Sequence, residues 1–118
     1  MIDQFSRNLF RDKPDAYYHD RLAIFLSKEL IHLKLHQKLN KNENIFTFMP
    51  FMHSENFEDQ IISLSLFSNL GIKENFRSAI KHFNIIGKFG RSPHRNKILK
   101  RKSTKEELAF LTTPGISF

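Results

Sequence analysis

With 118 residues, 40% of them hydrophobic and 26% charged, the chain has material for one domain with a modest core, and four Gly and four Pro leave little room for disordered tracts. It has no cysteine, which excludes disulfides and thiolate chemistry and would leave any zinc to His and carboxylates. The net charge of +7 raises the question of nucleic acid, but Lys outnumbers Arg 12 to 7, and Phe, Ile, Lys and Asn together supply 46 residues. That skew matches A- and T-rich codons, so a dispersed, solvated charge is the expectation and nucleic acid is not the expected partner.

The opening MIDQFSRNLFR places Asp3 and two Arg where a secretory leader needs an apolar core. No later run reaches the roughly 20 apolar residues of a membrane span, so a cytoplasmic chain without membrane contact is predicted. Ile2, Phe5 and Leu9 have helical spacing from the first residue. Asp12 can cap the next helix, with Pro14 in its first turn; the stripe Ala16, Leu22, Ala23, Leu26, Leu30, Leu33 carries that helix to about Lys38. Asn40, Asn42 and Asn44 then read as a break, and IFTFMPFM, with Pro50, as a buried aromatic corner.

Ser54 reads as the N-cap of a helix with Glu55, Glu58 and Asp59 in its first turn and Phe57, Ile61, Leu64, Phe67 and Leu70 on its apolar face, stopped by Gly71. Glu74 to about Ile86 gives another, bracketed by Gly87 and Gly90. Residues 87–103 form a basic connection. Ser103 with Glu106, or Thr104 with Glu107, is a capping box for a last helix to about Leu111. Strand signals are nearly absent, so the expected fold is all-α, an antiparallel array of four to five helices in a single domain.

Four segments, IDQFSRNLFR, PFMHSENFEDQ, IIGKFGRSPHRN and STKEELAFLTTPGISF, together resemble the bacterial domain-of-unknown-function family numbered 924. The resemblance spans residues 2 to 118 in order and implies a tetratricopeptide-repeat-like helical fold. Ser6 and Ser92 stand where that family usually has proline and phenylalanine, and Lys100 replaces a glycine in the turn before Arg101. The resemblance also implies further helices before Met1, so the chain is expected to be the C-terminal portion of a longer domain, with an uncovered apolar face that favours self-association.

The basic connection gathers Arg91, His94, Arg95 and Asn96, held by Gly90 and Pro93 so that forked guanidinium donors and an amide can converge on an acidic group. A plainer use for them is to pair with Glu55, Glu58, Asp59 or Asp3 and staple the connection to the helices. His53, Ser54 and Glu55 resemble a hydrolytic set in type only, since neighbours in sequence rarely converge on one atom. His53 could instead face His94. His32 and His36 have the spacing of zinc ligands but lack the glutamate a metalloprotease needs after the first His, and the many Phe are core candidates.

The expected function is therefore a non-enzymatic, helical-repeat-like module that binds a peptide or protein. Its candidate ligand-binding residues are His53, Glu55, Arg91, His94, Arg95 and Asn96; no cofactor or metal is expected. One alternative is a small-anion binder or enzyme using His53 or His94 with Arg91 and Arg95. Another is a truncated gene product without function.

Overall fold

Five α-helices and two short 3-10 turns, with no strand, make up residues 20–113, which the computed structural model describes. The all-α expectation holds over these residues. The helical start at Ile2, the cap at Asp12 and the closing PGISF lie outside the described residues, as does Asp3. In chain order the helices are α1 (Asp20–His32), α2 (Lys41–His53), α3 (Phe57–Leu70), α4 (Lys73–Phe89) and α5 (Lys105–Leu111).

α1 stops six residues short of the predicted Lys38. Lys34 takes a left-handed conformation at φ 58°, which no helix interior tolerates, and a 3-10 turn at Leu35–Lys38 follows. The asparagines read as a break are instead the start of α2. Asn40 accepts the Glu43 N–H at 2.8 Å while the Glu43 carboxylate accepts the Asn40 N–H at 3.0 Å, a complete capping box. Asn44 donates to the His36 carbonyl at 3.0 Å and ties the preceding turn to the helix. The predicted aromatic corner is thus the body of a 13-residue helix, with buried Pro50 in its last turn.

The α2–α3 junction also differs from expectation. Ser54 is the C-cap of α2, and Asn56 caps α3 by accepting the N–H groups of Glu58 at 2.9 Å and Asp59 at 3.4 Å. Ser54 Oγ donates to Asp59 at 2.7 Å and accepts the Asn56 N–H at 3.1 Å, so it shapes the turn rather than starting the helix. Gln60, fully buried, donates through Nε2 to the carbonyls of Met52 and Ser54, both at 2.7 Å. A helix C-terminus leaves carbonyls without partners, and this amide answers two of them from the neighbouring helix.

Gly71 at φ 80° ends α3 as predicted, since only glycine enters the left-handed region without strain. α4 runs three residues past the predicted end, through Gly87 to Phe89, with Gly90 at φ 72° as its cap. Gly87 lies inside the helix, and a glycine suits it because a Cβ there would lie 3.3 Å from the Phe57 ring. The core sits where α2, α3 and α4 meet, around Phe48, Met52, Phe67, Leu70 and Ala79. Phe48 and Phe67 pack edge to face at 6.0 Å and 89°, and each buried ring contributes on the order of 2–3 kcal/mol by leaving water. Of the two capping boxes foreseen for α5, Thr104 with Glu107 forms, with N–H bonds of 3.1 and 2.9 Å.

Candidate functional site

The basic connection between α4 and α5 folds back on the α2–α3 junction through two arginine–carboxylate forks. Glu55 stands in the short link between those helices. Its two oxygens accept Arg101 Nη1 and Nη2, each at 2.9 Å, and Oε2 also accepts the Ser92 N–H at 2.7 Å. Arg101 uses its remaining donors on the connection itself, giving Nη2 to the Ser92 carbonyl at 3.0 Å and Nε to Asn96 Oδ1 at 3.0 Å. Asn96, 1% exposed, passes its amide to Ser103 Oγ at 3.1 Å. Its carbonyl accepts the Arg101 N–H at 2.7 Å.

The second fork joins Arg91 to Glu107, with Nε to Oε2 at 2.9 Å and Nη2 to Oε1 at 2.8 Å; Nη2 also reaches the Lys102 carbonyl at 2.7 Å. Glu107 is 2% exposed and also caps α5 through the Thr104 N–H. Paired guanidinium–carboxylate bonds of this kind are short, directional and shape-specific. Together the two forks turn residues 90–104 into a fixed frame.

The forks set the charge state of the carboxylates. The Arg91 hydrogen bonds outweigh burial and, with the Thr104 and Asn96 hydrogen bonds, lower the Glu107 carboxyl to about 2. Burial works to raise Glu55, but the bonds from Arg101 and the Ser92 N–H, with the charges of Arg95 and Arg101, hold it below the usual carboxylate range. The bond to Glu107 raises Arg91 further above its ordinary value. Each of these groups is therefore held in its charged form at neutral pH.

Among the candidate residues, Glu55, Arg91 and Asn96 belong to this frame, and Arg95 attaches to it by donating Nη2 to the His53 carbonyl. The His53 ring lies 5.6 Å from the His82 ring, and His94 stands edge-on to Phe110 at 5.5 Å. Asp59 turns the other way and pairs with Lys28 of α1 at 3.1 Å, while Glu58 is exposed. His36 packs against Phe48 at 6.1 Å in the turn after α1. No group of three or more His, Cys, Asp or Glu that could hold a metal occurs among the described residues.

The frame's two strongest partners, Arg101 and Glu107, were not among the predicted site residues. Glu107 was legible only as a helix cap, and Arg101 only as one cation in a crowd. Their pairings span 16 residues for Arg91–Glu107 and 46 for Arg101–Glu55, beyond any local spacing rule. A shallow cleft of about 430 Å³, lined by Lys88, Phe89, Arg91, Thr104, Glu106 and Glu107, opens beside the second fork.

The model of a bacterial family of proteins of unknown function, DUF924, matches residues 1–115. No curated protein matches. The chain is similar to a solved structure of a protein of unknown function from Agrobacterium tumefaciens, at 37% identity and a TM-score of 0.89 over 93% of this chain. It spans 62% of the length of that protein.

Proposed function

We propose that this chain, which belongs to the DUF924 family of bacterial proteins of unknown function, is a non-enzymatic helical module that binds a protein or peptide segment. The observation that carries this reading is the charge state of the frame. A general base works best with a pKa near the working pH, whereas Glu55 and Glu107 are held low by Arg101 and Arg91 and make poor proton acceptors. The same forks suit a rigid presenting surface, because each immobilises a loop that would otherwise lose entropy on binding. The stacked helix pairs are consistent with a tetratricopeptide-repeat-like arrangement, in which adjoining helices present a groove.

In this reading His53, His94 and Arg95 form the polar margin that meets an acidic group, while Glu55, Arg91 and Asn96 hold the margin in place. The alternative, an anion binder or enzyme using His53 or His94 with Arg91 and Arg95, would have to release Arg91 from both Glu107 oxygens and the Lys102 carbonyl.

Thermal melting separates the two. The expected result is that acidic peptides raise the Tm, inorganic phosphate and nucleotides do not, and Arg95→Ala folds but loses the peptide effect. A rise with phosphate alone, abolished by Arg91→Ala, would favour the anion binder. Turnover of phosphate or acyl esters would end the non-enzymatic reading.

A further inference from the structure

Residues 88–107 hold eight Lys and Arg against two Glu, so this stretch carries +6 of the chain's +7 charge. The charge is concentrated, contrary to the dispersed arrangement expected from composition. Arg91 and Arg101 spend theirs on Glu107 and Glu55. Lys88, Lys97, Lys100, Lys102 and Lys105 are all exposed, and none has an ion pair among the described residues. Five like charges on the frame and the two helix ends that flank it repel one another, and an anionic partner would relieve that repulsion.

Beside the second fork lies a small cleft with one aromatic wall among polar side chains. The cleft of about 430 Å³ has Lys88 at its rim and Phe89 among its walls, and Phe89 is backed by Phe110 at 5.1 Å, itself met by His94. Thr104 lines the same cleft between Lys102 and Lys105 in sequence. A volume of this size takes one ring or large aliphatic side chain with its backbone, and stiff aromatic walls lose little entropy on being covered. Glu106 is the exposed carboxylate there, with Lys105 next to it in sequence and Lys88 lining the same cleft.

We infer that this edge docks an acidic polypeptide segment, which seats one aromatic or large aliphatic side chain in the Phe89 cleft while its carboxylates meet Lys88, Lys102 and Lys105. The inference rests on the binding-module reading and moves the main contact from the margin of His53, His94 and Arg95 to the exposed lysines beside it. Nucleic acid fits less well: the forks of Arg101 and Arg91 are turned inward to Glu55 and Glu107, and the cleft is lined by one ring, Phe89, where a strand would need a row of stacking rings.

The test is fluorescence anisotropy with the full chain and four probes: a poly-aspartate peptide with one central phenylalanine, the same peptide with serine there, a neutral peptide with the phenylalanine, and a single-stranded oligonucleotide of equal charge. The first should bind most tightly, weaken as salt rises, and lose about tenfold when serine replaces phenylalanine or when Lys88, Lys102 and Lys105 are all changed to Glu. A Lys→Gln triple variant should give a smaller loss and keeps the test decisive if the Glu variant folds poorly. Tighter binding of the oligonucleotide would overturn the inference in favour of a nucleic-acid face. Undiminished peptide binding by the folded Lys variants would overturn the location and leave the module standing, whereas failure of all peptides, neutral or acidic, would sink both.

Discussion

Lys100 holds φ 57° in the turn that delivers Arg101 to Glu55. A left-handed backbone costs an L-residue with a Cβ roughly 1–2 kcal/mol, and glycine gives back part of that gain through its freer unfolded state. Lys100→Gly should therefore stabilise the fold by about 0.5–1 kcal/mol, a rise of a few degrees in Tm. The same change at exposed Lys97, whose φ is ordinary, should stabilise nothing. Glu107 supports a second prediction. Its folded value near 2 lies below the ordinary 4.5, so its contribution is complete above about pH 4.5 and disappears as pH falls toward 2. Glu107→Gln leaves Arg91 with a weaker partner; it should cost about 2–3 kcal/mol at neutral pH and flatten the fall in Tm between pH 4.5 and 2. An acid limb as steep as that of the parent chain would mean that other carboxylates, with Glu55 the first candidate, set the acid sensitivity.

At the scale of the helices, local chemistry decided what could be read in advance. α3 was legible as a helix because Phe57, Ile61, Leu64, Phe67 and Leu70 repeat at helical spacing and Gly71 stops them, although Phe57 and Ile61 of that face are exposed, and α5 because Thr104 and Glu107 are three apart. α2 was not. Its starting signal, Asn40 with Glu43, sits inside a run of asparagines that also suits a loop, and Pro50 argued against the helix that contains it. The seam between α2 and α3 was missed for a related reason: polar Gln60 and Ser63 are buried in α3, and the value of Gln60 lies in carbonyls eight and six residues earlier. Gln60→Leu keeps the size but strands the buried Met52 carbonyl and removes the donor from the half-buried Ser54 carbonyl. It should cost about 2–3 kcal/mol by denaturant titration, despite being a polar-to-apolar change in a core. A neutral or stabilising result would show that those carbonyls find other partners.

For the whole molecule, the polar frame and the apolar core are separate sources of order, and the helices leave apolar surface outside both. On α1, Ala23 and Ser27 are buried, while Leu22, Phe25 and Leu26, with Leu33 one residue past its end, are 46, 57, 37 and 60% exposed. The spacing of these four puts them on one side of the helix, with Glu29 in the gap. Phe57 and Ile61 on α3, with Ile80 on α4, are also exposed. Large apolar side chains grouped along one helix are uncommon on a monomer's surface and favour association. The chain should therefore form larger species as concentration rises in sedimentation velocity, more so at high salt, which screens the repulsion of the lysine edge. Phe25→Glu with Leu33→Glu should return it toward monomer with helicity and Tm unchanged, since neither side chain belongs to the buried core. A parent chain that stays monomeric and melts cooperatively across the concentration range would show that the α1 face needs no cover.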